Sequence, residues 1–120
     1  MQATDTSFMT AAELASAVRK KLLSPLEIVE GLLARIAKIN PQVNAYCTVA
    51  AELALEAAKK AEVEVMRGRE LGPLHGVPVS IKDLTVTAGI RTTFGSKVFE
   101  HHVPDVDALS VQRLKAAGAA

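Results

Sequence analysis

The sequence predicts an α/β fold in which helices come first and short strands follow. Two capping boxes each precede an apolar stripe at helical spacing. Later, aliphatic and polar residues alternate over residues 77–82, as they do in a strand. A predicted helix and a glycine turn then close the sequence, and in α/β proteins such a turn normally leads into another strand. We therefore expect residues 1–120 to be a truncated piece of a larger α/β fold, cut at an element boundary.

The first helix is predicted over residues 11–22. Thr10 and Glu13 form a capping box, in which the hydroxyl and the carboxylate satisfy backbone donors reciprocally. The apolar stripe that follows consists of Leu14, Ala17, Val18 and Leu22. The basic run at residues 19–21 falls at the predicted helix end, where positive charge is favourable for the helix dipole; a phosphate-binding patch is the less common interpretation.

A second helix begins with the same signature. Ser24 and Glu27 form the capping box, and Pro25 occupies the first helical position, where its missing N–H is harmless. This helix is predicted to end before Pro41, because the proline ring disfavours helical geometry at Asn40.

The middle of the chain predicts a short strand and a third helix. Residues 45–49 have the aromatic and β-branched content of a strand, and alanine, leucine and glutamate then dominate to about Arg67. Gly68 ends this helix. Residues 67–76 hold three glycines and a proline, so they predict a loop.

The segment after this loop carries the strand pattern. Val77, Val79 and Ile81 are predicted on one face, and Ser80 and Lys82 together on the other. Lys82 then lies at the carboxyl end of the strand, where ligands tend to bind in open α/β sheets.

Residues 85–104 are rich in glycine and threonine and predict an irregular region. Asp105 or Asp107 can cap a last helix, and Gly118 can stop it.

Charge and cysteine content limit the function classes. Lys and Arg total 14 against 13 Asp and Glu, so the net charge of +1 gives no indication of nucleic-acid or membrane binding. Residues 1–5 lack a targeting pattern, and no segment approaches the roughly 20 apolar residues of a membrane span. Cys47 is the only cysteine, which excludes an internal disulfide and favours a reducing compartment. We expect a cytoplasmic protein.

Several residues are chemical candidates when taken alone. Lys82 would most often be a lysine whose charged head reaches water. Ser80 could be a nucleophile, but no glycine-flanked elbow surrounds it. His75 could be a base, although a polar loop residue is the more common interpretation.

The remaining candidates are a metal site and a thiol pair. His101 and His102 invite a metal, but adjacent residues on an extended chain point to opposite sides. Cys47 with His75 could form a thiol and base pair, although a lone cysteine in an apolar strand is usually an inert core residue. We expect no metal and no cofactor.

Residues 73–83, PLHGVPVSIKD, closely resemble the segment that carries the catalytic lysine of the amidase-signature family. The resemblance continues through the threonine pair at 92–93 to residues 113–119, and it includes the N-terminal helices and the turn at 39–46. Leu84 departs from it, since many relatives have asparagine there.

The resemblance implies the N-terminal fragment, residues 1–120, of a single amidase domain with a mixed sheet. It implies acyl transfer through a Ser/cis-Ser/Lys triad in which Lys82 is the final proton acceptor, because a desolvated primary amine can release its proton. Both serines would lie beyond Ala120. The implied partner is a small-molecule amide substrate, without direct nucleic-acid or membrane binding and without a cofactor or metal. We expect the 120-residue chain alone to be inactive and to form a homo-oligomer through exposed apolar surface.

Two alternatives stay open. One is the A subunit of a tRNA-dependent glutamine amidotransferase, which the same family includes. The other is a non-catalytic helical scaffold module. The sequence does not identify the substrate.

Overall fold

The structure, a computed structural model, describes residues 5–120. Residues 1–4, most of the stretch without a targeting pattern, lie outside this range. The helices are α1 (Ala11–Arg19), α2 (Pro25–Val43), α3 (Ala51–Met66) and α4 (Leu109–Ala116), with a short 3₁₀ helix at Lys97–Phe99. Within this range an isolated β-bridge joins Thr87 to Ile90.

Both predicted capping boxes are confirmed. The Thr10 hydroxyl accepts the Glu13 N–H at 3.2 Å, and the Glu13 carboxylate accepts the Thr10 N–H at 2.7 Å. Ser24 and Glu27 repeat the arrangement at the start of α2, where Pro25 is the first helical residue. Local hydrogen bonding therefore fixes where these two helices begin.

The end of α1 differs from the prediction. The helix stops at Arg19 rather than at residue 22, because Lys21 adopts the left-handed conformation with φ of 58°. The Lys21 N–H bonds the Val18 carbonyl at 2.9 Å, and the Leu22 N–H bonds the Ala17 carbonyl at 2.8 Å. Glycine is usual in this helix-ending pattern, so a lysine at the position does not predict it.

The predicted end of α2 before Pro41 is wrong, since the helix continues to Val43. The Asn40 side chain donates to the Tyr46 carbonyl at 3.1 Å and accepts the Tyr46 N–H at 2.9 Å. Asn44 then caps the helix in the left-handed conformation. These bonds outweigh the steric preference that proline imposes on Asn40.

Helices α3 and α4 end in the same motif, as their glycines predict. The N–H of Gly68 and that of Gly118 each bond the carbonyl three residues earlier, and the next N–H bonds the carbonyl five residues earlier. The φ angles of the two glycines are 66° and 91°. Both positions favour glycine because a side chain is strained there.

Neither predicted aspartate caps α4, which begins at Leu109 without a side-chain cap on Ala108. The Asp107 carboxylate instead accepts the Ala88 N–H at 2.7 Å and contacts the Lys115 ammonium at 2.7 Å. It therefore holds the turn at Ala88 against α4.

No strand forms at residues 45–49 or 77–81 within the described part of the chain. A strand requires a partner strand. Among the described residues, the only strand-like backbone hydrogen bonds of the 77–82 segment are made with Ala120. The Val79 N–H bonds the Ala120 carbonyl at 3.0 Å, and the Ala120 N–H bonds the Val77 carbonyl at 2.9 Å. This is one rung of parallel pairing. The predicted face pattern holds only in part, because Val77 is buried whereas Val79 is 37% exposed.

The end of α4 is bonded to the chain just before this segment. The Ala117 carbonyl accepts the Leu74 N–H, and the Gly118 carbonyl accepts the Gly76 N–H, both at 2.9 Å. Gly118 lies so close to His75 that an added Cβ would be 2.9 Å from the His75 Cα. We call this contact region the α4 junction.

The core lies where α1, α2 and α3 meet the start of the 77–82 segment. Its buried members are aliphatic and come from all four elements: Leu14, Ala15, Val18, Ile28, Val65 and Val77. Burial of Val77 in this cluster fixes one end of the segment that carries Lys82. Among the described helices, none is long and apolar enough to cross a membrane.

Candidate active site

Lys82 lies at the end of the 77–82 segment, on the wall of a cavity of about 630 Å³. Helix α2 and residues 45–50 supply most of the opposite wall, which is largely aliphatic. A concave apolar surface with a few polar groups is the usual form of a small-molecule site. We call this space the lysine cavity.

The Lys82 side chain is exposed, and within residues 5–120 its ammonium forms no ion pair with a carboxylate. It is therefore available to other groups that enter the cavity.

Hydroxyl groups also line the lysine cavity. The Ser80 and Tyr46 hydroxyl oxygens are 2.6 Å apart, so one donates to the other. Arg91 donates to the Cys47 carbonyl at 3.3 Å and to the Thr48 hydroxyl at 3.1 Å. These contacts fix the residues 46–48 against the side of the cavity that bears the lysine.

The main chain at Lys82 is fixed from its C-terminal side. The Lys82 carbonyl accepts the Thr85 N–H at 2.9 Å. The Asp83 carboxylate accepts the Thr93 N–H at 2.8 Å and also the Thr93 hydroxyl, and the Asp83 carbonyl accepts the Phe94 N–H at 3.0 Å. Hydrogen bonds from the side chain and then the backbone of Thr93 lower the pKa of Asp83, so this carboxylate is ionised at neutral pH.

The sequence does not predict the contact between Asp83 and Thr93. The available signal is a Lys-Asp pair followed ten residues later by Thr93, within a region that predicts only irregular structure. Nothing in the local pattern indicates that the two residues meet.

The histidines lie away from the lysine cavity. His75 is buried, its Nε2 donates to the Ala61 carbonyl at 2.9 Å, and its Nδ1 is 3.8 Å from the Glu64 carboxylate. His102 donates from Nδ1 to the Thr92 carbonyl at 3.0 Å, and His101 is exposed beside Glu100. His75 thus connects its loop to α3.

Cys47 is exposed on the wall of the lysine cavity, so the expectation of a core cysteine is wrong. The chain bends at this residue, and no strand forms at residues 45–49. His75, the other half of the thiol pair considered above, does not line this cavity. In the range 5–120, no cluster of three or more His, Cys, Asp or Glu side chains could hold a metal ion.

The comparisons with known proteins point to one family. Residues 27–120 match the family described as Amidase. The chain is 42% identical over 112 residues to the A subunit of the glutamyl-tRNA(Gln) amidotransferase of Carboxydothermus hydrogenoformans, a match that covers 93% of this chain and 23% of that protein.

Solved structures give the same result. The native peptide amidase of Stenotrophomonas maltophilia is similar with a TM-score of 0.88 and 31% identity, covering 96% of this chain and 24% of that one. A bacterial aryl acylamidase of the amidase signature family is similar with a TM-score of 0.86 and 28% identity, over 93% and 24% of the two chains. The chain thus spans about a quarter of the length of these relatives.

Proposed function

Because the chain belongs to the amidase family, we propose that it supplies the catalytic lysine, Lys82, and one wall of the active site to an enzyme that hydrolyses a carboxylic amide. In this proposal residues 1–120 are the N-terminal part of a single amidase domain with a mixed sheet. The rest of the domain provides the Ser/cis-Ser pair of the triad. A cytoplasmic location belongs to the same proposal and is supported by the single cysteine.

The placement of Lys82 is the observation that supports this proposal most. Its side chain is exposed at a cavity, whereas its main chain is held by Thr85 on one side and by the buried Val77 on the other. A general base needs this combination of a fixed backbone and an accessible functional group.

Each group has a defined task in the proposed reaction. The Lys82 amine accepts a proton, through the bridging serine, from the nucleophilic serine. The serine oxygen bonds to the amide carbonyl carbon, the C–N bond breaks, and the leaving amine takes up the proton. Water then attacks the acyl-enzyme ester and gives its proton to Lys82 through the bridging serine. The ester bond breaks, and the nucleophilic serine takes a proton back as the carboxylic acid leaves. Lysine suits this task because a primary amine that the rest of the domain desolvates can exist without its charge, whereas arginine remains protonated.

A second candidate is the A subunit of a glutamine-dependent amidotransferase. It is favoured by the 42% identity to a protein of that name. Ammonia release from glutamine that requires added partner proteins would select this candidate, whereas partner-independent release from simple amides would select a free-standing amidase.

The test is Lys82→Arg in the protein at the full length that its gene encodes. We expect amide hydrolysis to fall by about a hundredfold or more, the usual loss when a general base is removed. A thermal melt should show that the fold stays intact, because the Lys82 side chain makes no ion pair within residues 5–120. Lys60 is also exposed but lies on α3, so Lys60→Arg is the matched control and should keep full activity.

If Lys82→Arg kept its activity within about tenfold of the original, below that range, the proposed role of Lys82 would be wrong. Lys82 would then be a lysine whose charged head reaches water. Absence of amide hydrolysis in the original protein would instead favour the non-catalytic scaffold.

A further inference from the structure

We propose that Asp83 is a positioning residue, which orients Lys82 by bonding to the turn at Thr93–Gly95. The inference rests on the proposed function of Lys82, its neighbour in the chain. Asp83, Thr93 and Phe94 together form what we call the Asp83 latch.

In the latch, the side chain and the main-chain carbonyl of Asp83 bond to two consecutive residues. One carboxylate oxygen accepts the Thr93 N–H and the other accepts the Thr93 hydroxyl, while the main-chain carbonyl accepts the Phe94 N–H. The Gly95 N–H in turn donates to the Thr93 hydroxyl oxygen at 3.2 Å. Because side chain and main chain of Asp83 bond to the same turn, the direction of the backbone next to Lys82 is fixed.

The turn itself is held in an unfavourable conformation. Phe94 has a φ of 54°, in the left-handed region that bulky side chains rarely adopt. Such strain persists only where the surroundings enforce it, and it is concentrated at functional sites. Two of the enforcing bonds come from Asp83, since its oxygens accept the N–H groups of Thr93 and Phe94.

The other side of the turn is anchored independently of Asp83. The Thr92 N–H donates to the His102 carbonyl at 2.9 Å, and His102 Nδ1 donates to the Thr92 carbonyl at 3.0 Å. The Phe94 ring packs against Phe99 and His102, with centroid distances of 5.3 and 5.6 Å. Contacts that do not involve Asp83 therefore hold the turn in place, so bonding to it can restrict the backbone next to Lys82.

Positioning matters for the rate because the lysine amine lies at the end of a long flexible side chain. A displacement of about 1 Å in a reacting group can reduce the rate about a hundredfold without a loss of substrate binding. Removal of the latch should therefore lower kcat and leave KM nearly unchanged. A carboxylate with a purely structural role would lower stability without this kinetic pattern.

The test uses Asp83→Asn in the protein at its full encoded length. We expect kcat for amide hydrolysis to fall about tenfold or more while KM changes less than about threefold. Asp107→Asn is the matched control, because Asp107 also accepts a backbone N–H from a distant turn but lies outside the lysine cavity. It should keep the original kcat.

Variants at Thr93 test the partner side of the latch. Thr93→Val removes the hydroxyl at nearly constant volume and should lower kcat in the same way. Thr93→Ser restores the hydroxyl and should recover most of that loss. The double variant of Asp83→Asn with Thr93→Val should be no slower than the slower single variant, because the two residues form one interaction.

A second measurement does not depend on turnover. Amide hydrogen exchange at Thr85, Thr93 and Phe94 should become faster in Asp83→Asn and stay unchanged in Asp107→Asn. If the original protein hydrolyses no amide, the proposed function fails. The exchange measurement still decides whether the latch orders the end of the 77–82 segment. Unchanged exchange, or an equal fall in kcat for Asp83→Asn and Asp107→Asn, would overturn the inference.

Discussion

Replacement of Gly118 by alanine should destabilise the protein more than the same replacement at Gly68. Both glycines end a helix in the same hydrogen-bonded motif and have φ angles of 91° and 66°. The two sites differ in their surroundings: a Cβ at Gly68 would meet no atom within 4 Å, whereas one at Gly118 would lie 2.9 Å from the His75 Cα and 3.2 Å from the His75 nitrogen.

The size of each loss follows from the left-handed backbone conformation and from the contact of the added Cβ with its surroundings. A left-handed alanine costs roughly 1–2 kcal/mol at either site. At Gly118 the new methyl group meets backbone, which cannot swing aside, so an overpacking term of about 1–3 kcal/mol is added. We therefore expect a loss of about 1–2 kcal/mol for Gly68→Ala and about 2–5 kcal/mol for Gly118→Ala.

Equilibrium urea unfolding of the two variants and the original protein, at full encoded length, measures this difference. Comparing the two variants with each other removes the backbone term that they share. If their free energies of unfolding agreed within about 0.5 kcal/mol, the error expected for independent sites, the close packing of the α4 junction would be refuted.

Three further predictions concern pH and the isolated chain. Hydrogen bonds from Thr93 lower the pKa of Asp83, and bonds from Lys115 and then Ala88 lower the pKa of Asp107. The two ionised carboxylates therefore contribute stability above about pH 4, and this stability is lost as the pH falls through their lowered pKa values. Urea titrations should show this acid loss reduced in the double variant Asp83→Asn, Asp107→Asn; an unchanged profile would contradict it. The isolated 120-residue chain should release no ammonia from simple amides above background, and saturable, heat-sensitive release would disprove this. Large apolar side chains such as Val98, 86% exposed, should make the isolated chain self-associate or bind a hydrophobic dye, whereas a sharp sedimenting monomer would argue against it.

The elements that sequence predicts correctly are those set by neighbours in the chain. Capping boxes begin α1 and α2, and glycines end α3 and α4, because each signal acts within one helical turn. Lys21 takes a position where glycine is usual, and Asn40 is bonded to Tyr46, so the ends of α1 and α2 were misplaced. The two predicted strands failed for a different reason, since pairing is not a property of one segment.

The candidate site was predictable only in part. Lys82 is proposed from the resemblance of its segment to a family, because composition alone favours a solvated lysine. The latch partner of Asp83 lies ten residues away across an irregular region, and Asp107 bonds a distant turn instead of the helix that it precedes. In both cases the carboxylate of an aspartate bonds across a loop, and local patterns do not encode such a contact.

The α4 junction also bears on the order in which the chain folds. Its hydrogen bonds join positions about 40 residues apart, whereas α2 and α3 are neighbours connected by a short link. Closing the longer loop costs more entropy before any contact offsets it, so we expect the helical pair to form first and the 77–82 segment to be fixed late. Contacts that form after the transition state influence mainly the unfolding rate. We therefore expect residues near Gly118, far along the chain from the lysine itself, to set part of the lifetime of an assembled lysine cavity.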